Sequence, residues 1–200
     1  MAVAKRWREA SLCIILALFF MLVSVIFFFV AFSSDVWVQK DYDETYEINS
    51  NTFGATNSFH TGVRIYGLWK YTRHYPWSKP PKLYQDSGVL LRSDELPLSV
   101  TVSGWYRATQ AMECLGLICI VLALLTILLY FCVPSCKVKR ALYLMIIFTF
   151  AAVLFIVIGI AIFGSKFDEI GFEVGWSMGL AIGAAILAFI SGIFQILELT

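Results

Sequence analysis

The longest polar part of the chain, residues 33–104, contains no cysteine, so no disulfide holds it and any fold there rests on strand pairing and apolar packing. Charge is scarce as well: Asp, Glu, Lys and Arg make up 14% of the 200 residues, while 60% are hydrophobic. One soluble core of this size cannot hide so much apolar side chain, which excludes an ordinary soluble domain and sends the excess to lipid. The polar stretch also lacks an Asn-x-Ser/Thr sequon, and with it any obvious N-glycan acceptor. No phosphate loop, zinc-protease helix or nucleophile elbow occurs anywhere, and His60 and His74 have no cysteine or acid at metal-ligand spacing. The expectation is a non-enzyme with no catalytic residue, no metal and no cofactor.

What is abundant is long uncharged apolar sequence. Four segments contain runs of the roughly 20 residues that cross a bilayer as a helix: residues 11–32, 105–133 (uncharged over 114–133), 141–164 and 174–197. Backbone amides in hydrocarbon must be satisfied within their own segment, so each run predicts a helix and the four together a bundle in contact with the lipid bilayer. Lys5, Arg6 and Arg8 precede the first run, and Lys137, Lys139 and Arg140 fill the short connection 134–140. The excess of positive charge inside then places both termini in the cytoplasm, with residues 33–104 and 165–173 outside. The competing reading of the first run is a cleaved signal peptide, although the run exceeds the roughly 7–15 apolar residues of such peptides.

Residues 33–104 are too long for a bare connection and carry structure of their own. The stretches "DVWVQKDYDETYEINSNTF", "FHTGVRIYGLWKYT" and "GVLLRSDELPLSVTV" mix aromatic and β-branched residues with polar ones, which predicts several antiparallel strands. The segment "YPWSKPPK", with Pro76, Pro80 and Pro81, predicts an exposed excursion rather than a sheet centre. The fold class expected is an all-α membrane bundle of four transmembrane helices with a small extracellular antiparallel β-sheet, in a single domain spanning 1–200. Charge in the loop is segregated: Asp41, Asp43, Glu44 and Glu47 fall together, and from Ile48 to Gln85 there is no acid, while Arg64, Lys70, Arg73, Lys79 and Lys82 add positive charge. Such a bipolar surface steers a partner or an ion; the plainer alternative is solubilising charge facing opposite charge on neighbouring strands. An external location argues against nucleic acid as the partner of the basic, aromatic stretch.

Within the runs, Glu113 stands out as an intramembrane acid. It is expected to face loop water near the outer interface or to find a donor on another helix, the sharper alternative being a proton or cation site. Gly175, Gly179 and Gly183, and Ala184, Ala188 and Gly192, form two series of small residues at spacing four, suited to close helix packing within the bundle or to self-association. Cys132 and Cys136 flank the cytoplasmic end of the second run beside basic residues, a pattern suited to reversible palmitoylation; two reduced thiols are the alternative. Cys13, Cys114 and Cys119 read as packing residues.

Several of these features occur together in a known order. Trp37 soon after the first run, Gly67-Leu68-Trp69 in the loop, and Trp105, Gln110 and Ala111 at the start of the second helix make the chain resemble the superfamily of claudins, peripheral myelin protein, epithelial membrane proteins and lens fibre membrane protein. Gly175-Trp176 and Ser191-Gly192 are similar to the peripheral myelin branch. The resemblance spans nearly the whole chain. It implies a plasma-membrane protein enriched at cell junctions that acts in cell–cell contact, junctions or membrane organisation, with itself or related four-pass proteins as partners in cis or trans. A paracellular ion pore or barrier is a narrower version. An auxiliary subunit of an ion channel or receptor, as in the calcium-channel gamma branch, is the alternative. The family usually carries a loop disulfide whose first cysteine lies three residues after the tryptophan, and here that position is Thr72. Claudins continue into a scaffold-binding tail, whereas three residues follow Leu197, which points toward the compact myelin type. The role implied for the Gly-Leu-Trp turn is a clamp that lays Leu68 and Trp69 onto the end of the bundle.

Overall fold

Ser11 opens the first helix: its side chain accepts from the Ile14 amide at 3.4 Å, satisfying one of the amides that every helix start leaves unpaired. In the computed structural model, which describes residues 11–46, 58–77, 82–89, 104–133, 139–169 and 171–199, four helices follow one another: α1 (Leu12–Ser33), α2 (Gly104–Cys132), α3 (Lys139–Asp168) and α4 (Trp176–Leu199). Each is long and apolar enough to cross a membrane. At about 1.5 Å per residue α2 and α3 are longer than the roughly 30 Å of a hydrocarbon core.

The helices pack as a ring, α1 against α4, α4 against α3, α3 against α2 and α2 against α1. Buried positions on α2 are Tyr106, Thr109, Glu113, Gly116, Ile120, Ala123, Ile127 and Phe131, and as far as Ile127 the steps between them alternate three and four. The same alternation runs from Leu142 to Phe163 on α3. A seam repeating every seven residues is the signature of left-handed, coiled-coil-like packing. Outside the seam, Phe19, Ile26, Ile118, Leu129, Ile147 and Ile186 are exposed. Exposed apolar surface on all four helices is what a lipid-facing bundle requires.

Two serines inside the bundle find carbonyls across it, and other polar groups bond side chains. The Ser24 hydroxyl donates to the Ala184 carbonyl and the Ser191 hydroxyl to the Ala17 carbonyl, each at 2.7 Å, joining α1 to α4 at two levels. The Gln195 amide donates to Ser191 at 3.2 Å, and Thr149 of α3 lies 3.0 Å from the Gln195 carbonyl oxygen.

A sheet of five antiparallel strands covers one end of the bundle, in the order β4-β3-β2-β1-β5, with β1 Val38–Tyr46, β2 Ser58–Tyr66, β3 Lys70–Trp77, β4 Lys82–Val89 and β5 Glu173–Val174. The short β5 pairs Val38 with Val174 and thereby ties the start of α4 to the first strand. The proline-bearing segment departs from expectation: Pro76 lies in β3, opposite Leu83 of β4. Pairing of β3 with β2 ends at His74, so Pro76 has a strand on one side only, which is where a residue without an amide proton is tolerated. Lys79, Pro80 and Pro81, and the predicted strand runs over 90–103, fall outside the described residues.

Candidate functional site: the joint between sheet and bundle

The chain leaves α1 through Ser34, Asp35 and Val36, and this link is gripped by two glycines from distant parts of the sequence. A side-chain carbon on Gly67, in the β2–β3 turn, would overlap the Asp35 backbone and come within 2.8 Å of the Ser34 carbonyl oxygen. One on Gly175, ahead of α4, would come within 2.9 Å of the Val36 carbonyl carbon and 3.0 Å of that of Trp37. Neither glycine has the positive φ that marks a left-handed turn; among the described glycines that conformation belongs to Gly171. The requirement at Gly67 is therefore close backbone approach, not unusual geometry.

Hydrogen bonds fix the grip. Trp37 donates its amide to the Tyr66 carbonyl at 3.0 Å and its indole N–H to the Ala31 carbonyl at 2.7 Å, and its own carbonyl accepts from the Gly175 amide at 2.7 Å. The Gly67 amide donates to the Lys70 carbonyl at 2.8 Å, closing the turn. From α2, the Tyr106 hydroxyl donates to the Gly67 carbonyl, and Gln110 Nε2 donates to the Leu68 carbonyl at 2.9 Å. Two residues one helical turn apart thus hook consecutive carbonyls of the Gly-Leu-Trp turn, whose Leu68 is fully buried.

Aromatic rings fill the space beneath. Trp37 meets Phe163 edge-on at 5.2 Å, Phe163 lies 4.6 Å from Phe167, and Phe167 is 5.7 Å from Tyr66 of β2. Trp105 packs edge-on against Phe167 at 5.8 Å, and Trp69 against Phe32 at 5.3 Å. Such ring pairs contribute about 0.5–1.5 kcal/mol each beyond area burial. The structure thus gathers Trp37, Gly67, Leu68, Trp69, Trp105 and Gln110 in one joint. Tyr106 belongs to it as strongly as any of them and went unnoticed in the sequence reading; a tyrosine between Trp105 and the first uncharged helical turn was the available signal.

The remaining singled-out residues lie apart. Ala184, Ala188 and Gly192 face the bundle, where a side-chain carbon on Gly192 would sit 3.0 Å from the Phe150 ring. Gly179 is open, with nothing within 4 Å of such a carbon, and Gly183 has only an ordinary contact with Phe27. Cys132 is exposed at the end of α2, and Cys136 lies outside the described residues. Glu113 is fully buried, and neither of its carboxylate oxygens has a hydrogen-bond partner among the described residues. No group of residues among those described has the composition to hold a metal ion.

Strand register also sorts part of the loop's charge. Lys40, Arg64 and Arg73 occupy one row across β1, β2 and β3, with Asp86 of β4 at its end. Residues paired in register share a face, and successive residues alternate faces, so Asp41 belongs to the opposite face from Lys40. Lys40 stands opposite Arg64 and Arg64 opposite Arg73, against the expectation that unlike charges face each other, while Arg73 opposite Asp86 conforms to it. No protein-family model and no curated protein matches the chain.

Proposed function

We propose that the chain is a non-enzymatic four-pass membrane protein of claudin-like type, whose sheet stands outside the cell and meets partner proteins at cell–cell contacts. The observation that carries this reading is the joint itself: Trp37 and the Gly67-Leu68-Trp69 turn lock a charged sheet onto one end of an apolar four-helix bundle. A sheet held rigidly at the membrane surface is a platform for contact, and the register that sets Lys40 beside Arg64 on one face with Asp41 on the other gives that part of it electrostatic polarity. In this reading both termini are cytoplasmic, the protein resides in the plasma membrane, and the partners are further copies or related four-pass proteins.

The test mixes two cell populations expressing the protein with different fluorescent tags. Enrichment where unlike colours touch, absent where an expressing cell meets a non-expressing one, is the expected result. Uniform surface signal overturns homophilic contact and favours the second reading, an auxiliary subunit to be sought by copurification with a channel or receptor.

A further inference from the structure

Glu113 is the one residue among Asp, Glu, Lys, Arg and His between 108 and 132, 141 and 165, or 177 and 197. It sits on the buried face of α2, at 0% exposure, and both carboxylate oxygens lack a hydrogen-bond partner among the described residues. Gly159 of α3 makes the space for it: a side-chain carbon there would come within 2.8 Å of the Glu113 Cδ and 3.1 Å of its Cγ. One step along the same seam, a carbon on Gly116 of α2 would come within 2.7 Å of Ile156 Cγ1 of α3. The two helices therefore approach each other closely where the acid is enclosed.

The groups around it offer no counter-charge. The buried faces of α1, α3 and α4 carry no acid, base, cysteine or tyrosine. On its own helix Cys114 lies beside it, the exposed Arg107 and the half-buried Cys119 lie six residues away, and Tyr106 lies two turns above on the buried face; Tyr66 and Tyr71 are the buried titratable side chains among the described residues of the sheet. An ionised carboxylate enclosed with neither donor nor cation loses its hydration without compensation, whereas a neutral carboxyl does not carry that cost.

We propose that Glu113 is a proton-binding site that fastens α2 to α3 beneath the sheet. The helices close on the neutral carboxyl, and release of the proton to water opens the Glu113–Gly159 contact and admits solvent. Tyr106 and Gln110, the hooks on the Gly67-Leu68-Trp69 turn, lie two turns and one turn above Glu113 on the same helix. Loosening at the acid therefore reaches the joint, and proton occupancy sets how firmly the sheet is docked. The inference depends on burial and helix packing and stands whether or not the protein acts at cell contacts.

The experiment uses the full chain in lipid vesicles. Infrared difference spectra of wild type against Glu113→Gln, with Glu113→Leu as the alternative subtraction if the first variant does not fold, read the carbonyl stretch of a neutral carboxyl. Hydrogen exchange of the peptides around Gly159 and Gly67 is followed from neutral to alkaline pH. The expected result is a neutral-carboxyl band at neutral pH that disappears on alkalinisation. As it disappears, exchange at both places accelerates beyond its intrinsic base dependence, approaching about tenfold per pH unit for one released proton. The variant shows no such acceleration. Absence of the band at neutral pH overturns the proposal, and so does a band that persists, or vanishes, with no extra exchange.

Discussion

Gly67→Ala tests the joint at its tightest point. The added methyl would meet the Asp35 Cα and carbonyl carbon and the Ser34 carbonyl oxygen, all of them backbone atoms that cannot rotate away. Relief requires moving the Ser34–Asp35 link or lifting the turn. The link is held by the Trp37 amide on the Tyr66 carbonyl at 3.0 Å and the Gly175 amide on the Trp37 carbonyl at 2.7 Å. The turn is held by Tyr106 and Gln110. Overpacking costs about 1–3 kcal/mol, each hydrogen bond lost in relieving it about 1 kcal/mol more, and the stiffer unfolded chain returns at most about 1 kcal/mol. The net loss is about 2–4 kcal/mol, which for a chain of this length lowers the melting midpoint by roughly 5–15 °C. The assay is tryptophan fluorescence on heating the detergent-solubilised protein, with Gly179→Ala as the control. At Gly179 the new methyl meets nothing within 4 Å, and the change from glycine within a helix is worth up to about 1 kcal/mol in the stabilising direction. A Gly67→Ala midpoint equal to wild type, or a Gly179→Ala midpoint that falls as far, refutes the close-approach argument.

Tyr106→Phe keeps the ring and removes the donor to the Gly67 carbonyl, at a cost of about 1–3 kcal/mol for the group left unpaired; the Gly67 amide should then exchange faster, and an unchanged exchange rate would show that the hook carries no stability. Thr72 stands directly opposite Ser87 across β3 and β4, and such antiparallel pairs have Cα separations of about 4.5–5.5 Å, inside the roughly 4.4–6.8 Å a disulfide spans. The double variant Thr72→Cys with Ser87→Cys should oxidise readily and, by closing a loop of about 15 residues, add about 3 kcal/mol that reductant removes, read as a shift in melting midpoint. Failure of the two thiols to join under oxidising conditions would contradict the register.

The helices were legible in the sequence because bilayer length and lack of charge are coarse properties that survive without any packing information. Their inward faces were not, since leucine and isoleucine serve lipid and core equally well. Gly179 and Ala184 belong to equally regular series of small residues, yet one opens outward and the other is fully buried. What decides is the phase of the seven-residue seam, a property of the neighbouring helix rather than of α4. Strand content over 38–77 could be read from alternation, but the place of Pro76 within β3 could not, because the sequence does not reveal that the pairing of β3 with β2 ends before it. The need for glycine at 67 was not legible either, because it depends on Ser34 and Asp35, more than thirty positions earlier.

The same nonlocality bears on what holds the sheet in place of a disulfide. Its attachment draws on the exit of α1, the β2–β3 turn, the start of α2, the end of α3 and the start of α4, each supplying a backbone amide, a hydroxyl or a ring that another accepts. A disulfide within the loop would stabilise the loop by itself, whereas these bonds exist only once all four helices are assembled. Val38, Tyr66 and Leu68, at 1%, 0% and 0% exposure, owe that burial in part to the bundle, since Tyr66 packs on Phe167 of α3 and Leu68 is held by Gln110 of α2. Cut free, the sheet would present this apolar row to water. The sheet and the helical bundle therefore form one cooperative unit, in which a change inside the bundle, at Glu113 or Gly159, is felt by the charged strands above it.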